Sequence, residues 1–219
     1  MTSSVVFLRL AGPMQSWGER SHWGVRHTSD RPTKSGVIGM IGSAAGVHDD
    51  ARLRFISSSF RMGIRVDKPG VVIKDYHTVI TGALSAGGGI KGVDGEAQVV
   101  LSDRYYLCDA DFVVALMGDD NSVNFVAMAL QAPISPVYLG RACCTPSFPI
   151  IAALGAYENL EDALRAYPYS GEDAECVAWI EDPMGDTMRS DAPHIYHKRY
   201  LPRFERKVIL QIGGKNVSE

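Results

Sequence analysis

No apolar run among the 219 residues approaches the roughly 18 needed to cross a bilayer, so neither a membrane-spanning helix nor a membrane partner is expected. Met1–Ser4 lacks the basic stretch and long apolar core of a secretory signal. Cysteine is scarce. The four, Cys108, Cys143, Cys144 and Cys176, contain no CxxC pair, and adjacent Cys143 and Cys144 are badly placed to bridge one another. A disulfide framework is therefore excluded, and a reduced, cytoplasmic protein is the simplest expectation. The 22 glycines follow no period, which removes collagen-like and simple repeat architectures. With 46% hydrophobic and only 21% charged residues the chain is not disordered. At roughly 150 residues per domain its length suits one main domain with an appendage, or two small ones.

Net charge is also small, −3, which argues against a nonspecific polyanion binder. The distribution disagrees with the total. Residues 1–78 carry 11 Lys/Arg against 6 Asp/Glu, residues 79–186 carry 4 against 16, and residues 187–219 carry 7 against 3. If the two basic ends meet in space, one face is positive and suited to nucleic acid. The acidic middle is suited to repelling wrong partners or docking onto a basic protein. The alternative is chance clustering on a solvated surface.

Ser4–Leu10 has the β-branched and large apolar residues of a strand. Ala11–Asp30 has no period and is expected to be a long loop. A helix is predicted over Pro32–Val47, capped by Thr33 or Ser35. Its Gly36, Gly39, Gly42 and Gly46 cost about 1 kcal/mol each in helix propensity, so a ligand or a neighbouring element must approach that backbone closely. Strands are predicted at Phe60–Val66, Val71–Asp75, Phe112–Leu116, Cys176–Ile180 and Arg206–Ile212. Helices are predicted from Asn121 or Ser122 to before Pro133 and over Leu160–Tyr167. Ala83–Gly95, poor in large side chains and flanked by Tyr76–Ile80 and Val99–Tyr106, suits the tip of a projecting β-arm. The order of elements in the front part suits an α+β fold of the ferredoxin or RNA-recognition type.

Most chemical motifs fail on context. Gly87, Gly89 and Gly92 match GxGxxG, but no helix follows to receive a pyrophosphate. Lys34-Ser35 lacks the glycine and feeding strand of a phosphate loop. The pairs His22/His27 and His194/His197 have no cysteine or acidic cluster to complete a metal site. What survives is Gln15–Lys34, where Arg20, Arg26, Arg31 and Lys34 interleave with Trp17, Trp23, His22 and His27. Cations hold phosphates and aromatics stack on bases, the pattern of a single-stranded nucleic-acid binder. The helix start at Lys34–Gly36 offers backbone N–H groups to a phosphate. A packed loop with buried tryptophans and solvent-facing arginines is the competing reading.

Five ordered blocks carry a family resemblance: LRLAGPMQSWG at 8–18, PTKSGVIGMIG at 32–42, KDYHTV at 74–79, YLCDADFVVAL at 106–116 and PVYLGRACC at 136–144. They resemble the CasD group, the type I-E branch of the "Cas five" family of CRISPR Cascade subunits, within the repeat-associated RNA-binding superfamily. From about Pro146 the match is weak. The resemblance implies an α+β fold: an RNA-recognition/ferredoxin-like domain over 1–145 with a β-hairpin thumb inserted at about 77–105, and a small C-terminal β-rich region over 146–219. It implies a noncatalytic subunit that caps the 5′ handle of the CRISPR RNA and touches the terminal backbone (CasC-type) subunit and the large subunit in antiviral defence. No cofactor, metal or obligate homo-oligomer is expected.

The RNA-binding residues expected from the loop and the resemblance together are Gln15, Trp17, Gly18, Arg20, Arg26, Arg31, Lys34, Ser35, Gly36, Tyr76, His77, Thr78, Arg104 and Arg141. The thumb tip, SAGGGIKG, has less charge than the family usually carries, and Ala142 stands where a second arginine is common. In type I-E systems a separate CasE-type endonuclease cuts the precursor RNA, whereas in type I-C systems the Cas five member cuts it. The alternative function is therefore a metal-independent endoribonuclease, with Tyr76 or His77 as base and Lys34 steadying the phosphate.

Overall fold

Strand β1 (Ser3–Ala11) divides the molecule, because its successive side chains point to opposite faces of a sheet. Val6, Leu8 and Leu10 enter one core and Val5 and Phe7 the other. The structure is a computed structural model that describes residues 2–19, 24–80, 99–171, 173–194 and 200–212, apart from the side chains of Val79, Ile80 and Val100. After β1 come two short strands, β2 (Met14–Gln15) and β3 (Val25–Arg26), then helices α1 (Lys34–Ala44) and α2 (Asp50–Ser58). Strand β4 (Arg61–Lys68) and the hairpin strands β5 (Val71–Ile80) and β6 (Val99–Cys108) follow. Next are β7 (Asp111–Gly118), α3 (Asp120–Gln131), β8 (Ile151–Tyr157), α4 (Leu160–Ala166), β9 (Glu175–Glu181), β10 (Thr187–Pro193) and β11 (Tyr200–Gln211).

Seven strands form one antiparallel sheet in the order β10–β11–β9–β4–β7–β1–β8. A smaller sheet joins β2, β5 and, in parallel, β3 to β6. The fold is mixed α+β with mostly antiparallel pairing. One face of the large sheet packs on Val37, Ile38 and Ile41 of α1, Ile56 of α2 and Val123 and Val126 of α3. The other face is covered by α4 through Leu160, Ala163 and Leu164. The expected boundary at 145/146 falls before β8. The strands beyond it pair with β1 and β4, so the C-terminal region extends the same sheet.

Local chemistry sets the element ends. Thr33 caps α1 by accepting from the Gly36 amide. Pro32 thus lies outside the helix, which is shorter than the predicted 32–47. Asp119, rather than Asn121 or Ser122, caps α3, its carboxylate accepting from the Ser122 N–H at 2.9 Å. The hairpin of β5 and β6 pairs from Val71↔Cys108 to Ile80↔Val99, so its base begins earlier than expected. The Ala83–Gly95 tip lies outside the described residues.

Candidate nucleic-acid interface

Trp17 is the anchor of the 15–34 loop and is 1% exposed. Its Nε1–H donates to Gln15 Oε1 at 2.9 Å, its backbone N–H donates to Thr28 Oγ1 at 2.9 Å, and its carbonyl accepts from the Ser29 N–H at 2.7 Å. Gln15 donates in turn to the carbonyls of Leu10 and Ala110, at 2.9 and 2.8 Å. Gly36 is glycine because the indole lies on it: a Cβ there would stand 2.9 Å from Trp17 Cε3. Gly42 meets Leu53 of α2 in the same way. Helix α1 therefore surrenders two of its glycines to neighbouring elements, whereas the space over Gly39 is open.

A cleft of about 290 Å³ opens over this anchor. It is lined by Trp17 and Gly18, Arg26 and His27, Thr33, Ser35 and Gly36, Gly140 and Arg141, and Tyr200. Six of the predicted residues meet here: Trp17, Gly18, Arg26, Ser35, Gly36 and Arg141. Arg104 stands beside them, because β3 and β6 pair in register at Arg26↔Arg104. Arg141 ties the walls together. It donates to the carbonyls of Tyr105 at 3.1 Å and Arg26 at 2.9 Å, and its guanidinium lies over Tyr106, 4.6 Å from the ring centroid. Among the described residues no carboxylate pairs with Arg26, Arg104 or Arg141. His27, exposed, stacks on Tyr105 with centroids 5.1 Å apart and planes at 21°, leaving its outer face for a base.

Three expected contacts do not fit their surroundings. Gln15 is fully buried and its amide is spent on Leu10, Ala110 and Trp17, so it is scaffold. Lys34, 4% exposed, donates from Nζ to Glu181 at 2.9 and 2.8 Å and to the Phe60 carbonyl at 2.9 Å. Burial lowers its pKa against the opposing pull of Glu181. Arg31 is held between Asp30 and Glu205 and lies 3.8 Å from the Trp179 ring centroid. Both cations are neutralised inside the protein rather than offered to phosphate. Nor is the helix start free. The Lys34 N–H donates to Asp191 at 2.8 Å and the Gly36 N–H to Thr33 at 3.2 Å.

Tyr76, His77 and Thr78 lie on β5 and do not line the cleft, and Arg20 lies outside the described residues, as do His22, Trp23 and His197. Tyr76 and His77 are successive in a strand and so point to opposite faces. Lys34, in its buried network with β9, is not on that hairpin. Burial pushes the Cys144 thiol up to about 12 and that of Cys176 up to about 11, so neither is a thiolate near neutral pH. Among the described residues no three His, Cys, Asp or Glu side chains group as metal ligands.

The buried cations form part of a network that pins the loop to the C-terminal strands. Arg203 grips Asp191 at 2.6 and 3.0 Å and Glu205 at 2.8 Å. Arg189 donates to Ser29 at 2.8 Å and to Glu19 at 3.2 Å. Burial alone would raise the Asp191 carboxyl, but the hydrogen bonds and charge of Arg203 hold it below its ordinary value. Ser16, His27, Thr33, Gly140 and Tyr200 complete the cleft and were absent from the predicted set. Only His27 had a local signal, its place among the aromatic and basic residues of the loop. Gly140 has φ +101°, and a Cβ there would overlap the Ser16 carbonyl oxygen. Gly140→Ala is expected to cost more than about 2 kcal/mol, the sum of a left-handed backbone penalty and overpacking. Chemical denaturation checks it, and an unchanged midpoint would remove the close approach.

A sequence model of the family described as "CRISPR-associated protein (Cas_Cas5)" matches residues 5–211. The chain is 32% identical over 229 aligned residues to "CRISPR system Cascade subunit CasD" of Escherichia coli (strain K12), covering 99% of both chains. It is similar to a solved chain titled "CRISPR RNA-guided surveillance complex", with TM-score 0.77, 31% identity and coverage of 95% of this chain and 90% of that one. A second structure, titled "Crystal structure of Cas protein", aligns with TM-score 0.71 and 32% identity over 95% of each chain. With its sequence matched almost end to end and its fold shared, the chain belongs to the CRISPR-associated Cas five family.

Proposed function

We propose that this chain is the noncatalytic RNA-binding subunit of a type I-E Cascade, holding the 5′ handle of the CRISPR RNA and joining the terminal backbone subunit to the large subunit in the cytoplasm. The observation that carries the reading is the cleft. It brings Arg26 and Arg141 to one concavity with a stacked His27 and the lining residues Ser35 and Gly36, and Arg104 flanks it. Phosphate contacts position a nucleic acid, and stacking platforms hold its bases. The relatives' names, a Cascade subunit and an RNA-guided surveillance complex, support the same assignment.

The core strands in the order β8–β1–β7–β4, all antiparallel, with α1 and α3 on one face, support a ferredoxin-like core. An RNA-recognition sheet presents its other face to RNA, but here α4 occupies that face, with Phe7 stacked on Tyr167 beneath it. RNA is therefore assigned to the cleft beside the sheet. The hairpin of β5 and β6 is the thumb. Val71, Val72, Tyr76, Val99 and Leu101 are exposed along it, more apolar surface than a lone two-stranded ribbon keeps in water, so neighbouring subunits cover it in the assembled complex.

The test is handle-RNA affinity across a salt series. Arg26→Ala is expected to weaken all RNAs about equally and to reduce the salt slope by about 0.7 for a single strand. An unchanged slope would remove the cleft from the RNA path. The absence of cutting is tested separately. Repeat RNA incubated with the protein in EDTA is expected to stay intact, as with a Tyr76→Phe/His77→Ala variant. Site-specific cleavage by the wild type, lost in the variant, would establish the endoribonuclease alternative.

A further inference from the structure

A second concavity shares no residue with the RNA cleft. It is an open groove of about 580 Å³ between α2 and α3. Its floor is Ile56 and Phe60, both buried, and its walls are Phe55 and Phe125. Phe55 is 71% exposed, and so is Met128, which lies one turn beyond Phe125 on the same side of α3. Apolar rings standing in water along a trough between two helices mark an interaction surface, and the occupant that fits such a trough is a third helix.

The charge around the groove selects that helix. Asp49 stands at the start of α2, paired with Arg52, and Asp119 and Asp120 stand at the start of α3. Among the described residues Arg52 is the one cation lining the trough, and it is paired with Asp49 at 3.4 Å. Arg54 turns the other way, toward the Pro193 carbonyl at 3.4 Å. The rim therefore carries an excess of negative charge. Two copies of this chain would bring aspartates against aspartates, and RNA would be repelled.

We infer that the α2/α3 groove is a docking site for a basic amphipathic helix of another protein, with aromatic or aliphatic anchors on one side and Lys/Arg on the other. Asp119 and Asp120, two acids of the chain's acidic middle, thus have a use distinct from RNA binding. The inference stands on residues separate from the cleft, so it survives or fails independently of it.

The probe is a fluorescein-labelled synthetic helical peptide carrying Leu and Phe on one face and Lys and Arg on the other. It is titrated into the full chain and followed by anisotropy, with a Glu-substituted twin as control. The basic peptide is expected to bind saturably and at least tenfold more tightly than its twin. Phe55→Ser/Phe125→Ser should weaken it about tenfold or more, the effect of losing an anchor residue. Asp119→Asn/Asp120→Asn, in which the introduced amide oxygen still caps α3, should weaken it and flatten its salt dependence. Arg26→Ala should leave it unchanged. The inference is overturned by equal affinity for the twin, by no saturable binding, by an unaffected Phe55→Ser/Phe125→Ser variant that melts as the wild type does, or by a wild-type dimer that this variant abolishes in sedimentation.

Discussion

Arg203→Ala is expected to lower the melting temperature by about 6–20 °C, from a loss of roughly 3–5 kcal/mol when one partner of a buried ion pair is removed. The guanidinium uses Nε and both terminal nitrogens on Asp191 and Glu205, with 5% of its side chain exposed. Its loss leaves two buried carboxylates with weaker compensation. Asp191 keeps the Lys34 N–H, and Glu205 keeps Arg31. The sign with pH follows. In the wild type the lowered Asp191 pKa contributes stability above the ordinary carboxyl value, near 4, and loses it as pH falls through the folded value. In the variant, burial acts with less opposition and raises that pKa. Protonation then relieves the penalty, and the gap between variant and wild type should narrow as pH falls toward 4. Scanning calorimetry at several pH values checks both statements. A constant gap would mean that the carboxylates are not the source of the loss.

Trp17→Ala is the second large effect, about 3–5 kcal/mol for truncating a buried tryptophan. It should abolish RNA binding as well, because the indole is the floor of the cleft and fixes the loop through Thr28 and Ser29. Trp17→Phe separates packing from hydrogen bonding. It keeps most of the ring but strips Gln15 Oε1 of its donor, a buried acceptor worth about 1–3 kcal/mol. The coupling to Gly36 gives a sharper check. Gly36→Ala should be costly in the wild type and less so beside Trp17→Ala, because the Cβ then has room. Additive losses in the double variant would disprove the contact.

Residues with a local reason for their structure were legible. The β-branched and large apolar residues of β1, the Thr33 cap of α1 and the apolar spacing of α3 each declare themselves within a dozen residues. Helix α2 was not legible, since only Ile56 and Ser57 of DARLRFISS are buried, Leu53 is half-buried and Phe55 faces water. Strand β10 inverts the usual signal by turning Arg189 and Asp191 inward, and its partners are other charges. The same inversion governs the site. Arg31 and Lys34 have the spacing of phosphate ligands, but the carboxylates that claim them, Glu205 and Glu181, lie 174 and 147 residues away in the chain. Short-range pattern cannot anticipate a partner delivered by the far edge of a sheet. It did assemble Trp17, Gly18, Arg26, Ser35, Gly36 and Arg141, whose neighbours are near in sequence or belong to the family blocks.

That delivery has a consequence for biosynthesis. The sheet grows outward from strands made early to strands made late, and the loop that lines the cleft is fastened by Asp191, Arg203 and Glu205, which leave the ribosome well after it. Domains fold from the N-terminus as they emerge, so β1, β4 and β7 can pair while the 15–34 segment still lacks its fastening. A chain truncated before β10 would keep the early strands and lose the fastening of the 15–34 segment. The cleft is thus completed only after β10 and β11 have been made, although most of its lining residues are made before them.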